Sequence, residues 1–554
     1  MVQHPKAPRM ARGTFARLLC PAVLLLAGAR MASAQATEAD DPPSRVARVS
    51  SLAGTVSLQT AAAPDWSLAA LNYSMTTGDR VFTDLDSRAE LEVGPFTVRV
   101  ADSTDVTITD LTDGFAQFAV AQGTLRMSVY RMAPDDSIEV DTPNGSVTIR
   151  APGHYRIFVA PTQDLTLLTV DDGAAEVDGP GLAQTLRNAQ TVQLTGANPI
   201  EMASARTPAP TAFDAWSFQR DQRAVASGCG RYMSRDIPGC ADLDQYGRWA
   251  NTGAYGAVWY PPQGPPGWSP YRYGHWGWVE PWGWVWVEAE PWGFAPFHYG
   301  RWVMVSGAWG WIPGPVIARP FYSPALVVFV GGGGVGGGVQ AWFPLGPREP
   351  FVPWYHYGPR YLRTVNAANV RGVTNIDVFV SVTNRERVRY VNRSSGFTAV
   401  SSETFRTGHR VDGAVVRVRG SDIGSARVLP HPTVMPTVQI AAGGPPAPRP
   451  PVMRRPSPVR PTTPNSEPTR TATPRTATSR PPMITRRPPP PPTPSFSERE
   501  KALQANPGRP LDPQQVRNLQ RGKPAGPPHE APPPSKKPDD RKAQPRKPGG
   551  GGGG

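Results

Sequence analysis

Fourteen of the chain's 16 tryptophans fall between Trp249 and Trp354, and no other feature restricts the fold as much. Such density has a physical cause, either packing in a core or an aromatic surface for a ligand. The rings recur in a pattern. Tyr246-Gly247-Arg248-Trp249, Tyr273-Gly274-His275-Trp276 and Tyr299-Gly300-Arg301-Trp302 begin 27 and then 26 residues apart, which marks an internal repeat. Each is followed by a second aromatic cluster: Val258-Trp259-Tyr260, Trp282-Gly283-Trp284-Val285-Trp286, and Trp309-Gly310-Trp311.

The spacing predicts a Tyr/Trp-rich module of β-hairpins over 246–314. Glu280-Pro281-Trp282-Gly283 and Glu290-Pro291-Trp292-Gly293 place Pro and Gly as a type I turn does. Trp282, Trp284 and Trp286 alternate along one side of a strand while Val285 and Val287 take the other. A hairpin apolar on both sides must stack on its neighbours or on the preceding domain. With roughly 150–250 Å² per aromatic side chain, burying half of one Trp contributes roughly 2–3 kcal/mol at about 25 cal/mol per Å².

Trp276, Trp282, Trp284, Trp286, Trp292, Trp302, Trp309 and Trp311 are the candidate functional residues, with two readings. They form a flat platform for sugar faces or apolar peptide, or they are the core of a module with few other large side chains. The core reading is the stronger, since aromatic stripes usually pack. Glu280, Glu288 and Glu290 beside Trp fit the carboxylate pair of a glycosidase cleft, but Glu280 and Glu290 occupy equivalent turn positions, where solvation is expected. The six histidines of the mature folded region show no ligand spacing, no phosphate loop ends the glycines of 331–338, and no cofactor or metal is expected.

Upstream, 45–197 alternates as an all-β domain, with runs such as Thr97-Val98-Arg99-Val100 and Tyr155-Arg156-Ile157-Phe158-Val159 separated by turn signals such as Pro143-Asn144-Gly145. A sandwich or roll is expected. Residues 198–245 are expected to be a linker, in which Cys229 and Cys240 are either a disulfide closing a short loop or two free thiols. Residues 315–435 follow as an irregular β extension. Its Leu326-Val327-Val328-Phe329-Val330 is expected as a buried strand, because the glycines after it make a membrane helix poor.

Two resemblances attach to these segments. Gly54-Thr55-Val56, Trp66, Thr77-Gly78-Asp79-Arg80-Val81-Phe82-Thr83, Ala89–Val93 and Gln122-Gly123-Thr124-Leu125-Arg126 resemble the FecR-like domain, the periplasmic module of iron-citrate-type sigma-factor regulators. The Tyr-Gly-x-Trp repeats, Trp342-Phe343-Pro344-Leu345-Gly346-Pro347, Pro353-Trp354-Tyr355 and Thr398–Phe405 resemble, over 246–410, an uncharacterised bacterial envelope family often carrying a FecR-like domain. The resemblance implies a secreted or periplasmic protein and no reaction.

The net charge of +14 lies in the tail, since 441–554 holds 21 basic and 7 acidic residues and 31 of the 67 prolines. That composition predicts a Pro/Arg-rich disordered tail. Two islands, Ser497–Ala505 and Asp512–Leu519, carry helix-capping signals and could fold on a partner. At the other end, Lys6, Arg9, Arg12 and Arg17, the apolar run Leu18–Ala29 and Ala32-Ser33-Ala34 predict a signal peptide over 1–34 and no transmembrane helix in the mature chain. The expected protein is a mainly β, noncatalytic binding or scaffolding module of the Gram-negative periplasm or outer envelope. Expected partners are cell-wall glycan, anionic envelope polymers or an envelope protein, and no nucleic acid. FecR-related signalling is the alternative, and a glycan-active enzyme is the third reading.

Overall fold

The computed structural model describes residues 40–317, 319–370, 376–444, 447 and 482–522. The segment expected as a signal, 1–34, lies outside the described residues, as do 448–481 and 523–554 of the tail. The fold is mainly β. Among the described residues, no helix is long and apolar enough to cross a membrane.

The strands between Ala47 and Ser204 form two sheets that share the long strand Phe115–Val129. Its first half runs parallel to Ser137–Thr142, with Val140 opposite Phe118. Its second half is antiparallel to Phe96–Val100 and Gly153–Val159, with Leu125 opposite both Val100 and Ile157. Gly123 sits at the hand-over with φ +89°, and a Cβ there would strike the backbone of Thr104. The alternation legible in Gly153–Val159 becomes alternating burial, with Tyr155, Ile157 and Val159 facing the core.

Residues 198–245 are not a linker. They include the 15-residue helix Ala212–Ala226, which opens on a capping box between Thr211 and Asp214. It docks through charge. Arg99 lies 2.6 Å from Glu90 and 2.8 Å from Asp221 of the helix, and Arg220 also pairs with Glu90. Burial pushes Glu90 up, but the Arg220 hydrogen bond and the Arg99 and Arg220 charges outweigh it and hold its pKa at about 2. A helix fastened by ion pairs has no strong apolar stripe, so its sequence periodicity is faint. Cys229 and Cys240 beyond it are joined in a disulfide, with Cα atoms 5.7 Å apart.

Three hairpins occupy the repeat. Arg248–Thr252 with Gly256–Tyr260 and Arg301–Val305 with Ala308–Ile312 join into one four-stranded sheet through Trp259 opposite Trp311. The middle hairpin, Gly274–Val279 with Gly283–Glu288, forms a separate two-stranded sheet. Its turn has Gly283 at φ +74°, the left-handed conformation that the Gly after Trp282 permits. At Glu290–Gly293 the expected turn bond is present, the Gly293 amide donating to the Glu290 carbonyl at 2.9 Å.

The region after 315 is no irregular appendage. Thr398–Ser401, Val339–Pro344, Val327–Gly331 and Arg427–Val428 form a four-stranded sheet in that order, and it supplies the surface the middle hairpin needs. Trp276 meets Trp342 edge-on at 5.4 Å and stacks on Phe405 at 5.1 Å.

Part of the tail is ordered too, contrary to the composition. Helices Phe496–Ala505 and Pro513–Gln520 pack on the body, burying Phe496, Leu503 and Leu511. Each opens on a capping box: Asp512 with Gln515, where the sequence placed the cap, and Ser495 with Glu498, two residues ahead of the expected island Ser497–Ala505. Their stabilising partner is the chain's own surface, which local composition cannot reveal.

One side chain bolts the N-terminal domain to the aromatic body. Arg48 is fully buried and donates to Asp242 at 2.6 Å, Glu92 at 2.8 Å, Asn72 at 3.0 Å and the Pro291 carbonyl at 2.7 Å. Replacing Arg48 with Met strands two acids in the interface. The expected cost is roughly 3–5 kcal/mol, the usual penalty for breaking a buried pair, read as a lower urea midpoint.

Candidate functional site

The eight candidate tryptophans are core. Trp282, Trp284, Trp286 and Trp311 are fully inaccessible, and the most exposed of the eight, Trp309, shows 7% of its surface. Trp276 faces Trp286 and Trp278 faces Trp284 across the middle hairpin, each pair edge-on at 5.5 Å. Most indole N–H groups are paid for locally: Trp302 donates to Pro296 O and Trp311 to Tyr299 O, both at 2.8 Å, and Trp284 donates to Val434 O at 3.2 Å. A platform of these rings for a sugar face is therefore excluded.

Two of the three carboxylates among them are also occupied. Glu280 accepts from Trp278 Nε1 at 2.9 Å and pairs with Arg499, a fully buried residue of the tail helix. It is half-buried rather than solvated. Glu288 is buried and accepts from Trp286 Nε1 at 2.8 Å. Glu290 is exposed, as expected. The strand Gly283–Glu288 separates Glu280 from the other two, and its six residues span roughly 20 Å at about 3.4 Å each. A glycosidase pair needs about 5–9.5 Å, so Glu280 does not form one with Glu288 or Glu290. Among the described residues, no group of three or more His, Cys, Asp or Glu is arranged to hold a metal ion.

A cleft of about 650 Å³ that keeps aromatic rings accessible lies at the edge of the four-stranded sheet of the first and third hairpins. Tyr246, Arg248, Tyr260, Trp268 and Trp309 line it, together with the Pro261–Gly267 loop. Tyr246 is exposed, Tyr260 and Trp268 are half-buried, and the Arg248 guanidinium lies 4.6 Å from the Tyr260 ring centroid. Trp268 is held by stacking on Tyr273 and by edge contact with Trp302 at 5.8 Å. Of these, Trp309 is among the sequence candidates; Tyr246, Arg248, Tyr260 and Trp268 were missed. The available signal was position: Tyr246 and Arg248 belong to the first repeat, whose outer strand Arg248–Thr252 is an edge strand with no further unit to cover it.

Residues 240–349, spanning the three hairpins and the first two strands of the next sheet, match the model of a family of unknown function, DUF6600. No curated protein matches the chain. Two crystal structures of a Parabacteroides distasonis protein, provisionally described as an anti-sigma factor, are similar to part of it at 16% and 15% identity, each with a TM-score of 0.21. The matches cover 27% of this chain, and 64% and 65% of those chains, so less than two-thirds of the length of either.

The buried acid of the middle hairpin gives a pH signature. Burial, with the Glu290 charge nearby, pushes Glu288 up to about 8 despite the Trp286 hydrogen bond. Folding therefore favours its neutral form. That contribution is complete below the ordinary carboxylate range and is lost as pH rises to about 8. Glu288→Gln keeps the shape and removes the ionisation. Its melting temperature relative to the native chain should climb from pH 5 to pH 8 and then level off, as followed by Trp fluorescence. Asp79 and Asp141, which burial pushes to about 7 and about 8, titrate in both proteins and cancel in the difference.

Proposed function

We propose that this protein is a noncatalytic binding and scaffolding module of the bacterial cell envelope, and that it holds a polymer chain in the Tyr246/Tyr260/Trp268 cleft. The observation that carries this reading is the contrast between a closed aromatic body and one edge where rings stay partly open beside a cation. Ring faces suit the apolar faces of sugars, and a guanidinium suits an anionic substituent. The cleft lining contains no carboxylate for acid–base work. The Cys229–Cys240 disulfide fits an oxidising compartment, and the envelope family resembled over 246–410 fits the same location.

A second reading, FecR-related envelope signalling, is favoured by one arrangement. The residues that carry that resemblance lie side by side, Val56 opposite Thr83 and Leu58 opposite Val81, with the Asp79 carboxylate accepting from the Ala61 and Thr76 amides. A deletion strain with unchanged sigma-dependent transcription would remove this reading.

Co-sedimentation with purified cell wall tests the first. The full chain should pellet with the wall, and the Tyr246→Ser/Arg248→Ser variant should show about a fivefold or greater loss of affinity, from about 1 kcal/mol per aromatic or cation contact. Equal retention of the variant would rule out the cleft as the binding surface.

A further inference from the structure

A second surface of the N-terminal domain is already occupied, by four consecutive residues of the tail. Each has its own receptor. The Ile484 amide donates to the Thr142 carbonyl at 3.0 Å where the strand Ser137–Thr142 ends, forming a β-bridge, and its side chain packs over Gly179. Thr485 accepts from Gln117 Nε2 at 2.8 Å, and its hydroxyl donates to the Arg487 carbonyl of the same segment, with Glu139 at 3.3 Å. Arg486 donates its backbone amide to Glu139 at 2.8 Å, and its guanidinium reaches Asp178 at 3.2 Å and Glu176 at 3.3 Å. Arg487 lies over the Phe115 ring at 4.2 Å while its carbonyl accepts from Gln117 at 2.8 Å.

The receptor side chains also bond one another. Glu139, Asp141, Gln117 and Ser146 are all buried on adjacent strands, with Gln117 donating to Asp141 at 2.8 Å and Ser146 to Glu139 at 3.0 Å. Burial, and the hydrogen bond it shares with Glu139, push Asp141 up to about 8, so it is the neutral member of the pair. Burial pushes Glu139 up as well, but hydrogen bonds from Asp141, the Arg486 amide and Ser146 outweigh it and keep Glu139 charged. Backbone pairing, a carboxylate for one backbone amide, an amide donor for one hydroxyl, and separate sites for two guanidinium groups make a pattern that selects an extended sequence.

The hold is nevertheless weak where it is specific. The Arg486 and Arg487 side chains are exposed, and exposed ion pairs contribute little. Ten residues further on, the tail is fastened differently, with Arg499 fully buried against Glu280 and Phe496 and Leu503 in the core. The groove segment can therefore leave while the helix stays.

We propose that this face of the N-terminal domain is a recognition groove for an extended peptide segment of the form apolar–hydroxyl–Arg–Arg. Ile484-Thr485-Arg486-Arg487 is its resident ligand in cis, displaced by the same chemistry on a partner protein. The inference is independent of the aromatic cleft and survives its failure.

The test uses full-length protein and a fluorescein-labelled peptide of residues 482–489, followed by anisotropy at 0.1 M salt. The Thr485→Ala/Arg486→Glu/Arg487→Glu variant vacates the groove and should bind the peptide at least tenfold more tightly than the native chain, whose own segment competes. Adding Glu139→Gln and Asp178→Asn to that variant should weaken binding at least tenfold. Should the triple variant fail to fold, judged by near-UV circular dichroism, Ile484→Gly/Thr485→Gly vacates the groove more gently and must give the same ordering. No binding by a folded vacated variant, equal binding by the native chain, or indifference to Glu139→Gln/Asp178→Asn each overturns the proposal.

Discussion

A two-stranded ribbon of Gly274–Val279 and Gly283–Glu288, apolar on both faces, cannot persist in water, and the architecture after residue 240 answers that constraint. One face is covered by Trp342, Phe329 and Phe405 from the following sheet and helix. The turn end is covered by the tail, where Pro510 leaves no room for a Cβ on Gly283. The first and third hairpins solve the same problem by pairing with each other. A repeat that looks modular along the chain is thus one interlocked core, and removing any covering piece would expose rings in several others.

Apolar packing alone would leave the N-terminal domain free to slide, and buried charge removes that freedom. Arg48 touches four segments through directed hydrogen bonds, and Asn72 adds bonds to the Glu288 and Glu290 carbonyls at 2.9 and 2.8 Å. Such groups add little net stability over an apolar substitute, but a misplaced partner leaves them unsatisfied. Glu90, held between Arg99 and Arg220, does the same for the helix Ala212–Ala226. Indoles supply the cohesion and arginines the register.

How much of this was legible follows from the range of each interaction. Alternation within strands and repetition between hairpins are local patterns, so the mainly β fold and the positions of the three hairpins could be anticipated from Trp249 to Trp311. The burial of Trp276, Trp284 and Trp286 followed from their lying on a ribbon with no polar side. Cys229 and Cys240 could be read two ways, because spacing does not fix side-chain direction. The parallel pairing of Phe115–Val129 with Ser137–Thr142, the charge-docked helix and the docking of 482–522 rest on contacts between distant residues, such as Glu280 with Arg499. Capping signals in Ser497–Ala505 and at Asp512 announced helices, the first starting two residues early at Ser495; nothing nearby announced what they lie against. The open cleft was missed because Tyr246 and Trp268 look like every other aromatic of the repeat, and only the sheet order makes them an edge.

The pairing of Arg517 with Asp40 joins residues 477 positions apart. A contact of that span needs both ends of the chain at once, so the groove beside Glu139 and the turn end of the middle hairpin are covered only when residues 484–520 have come back to the body.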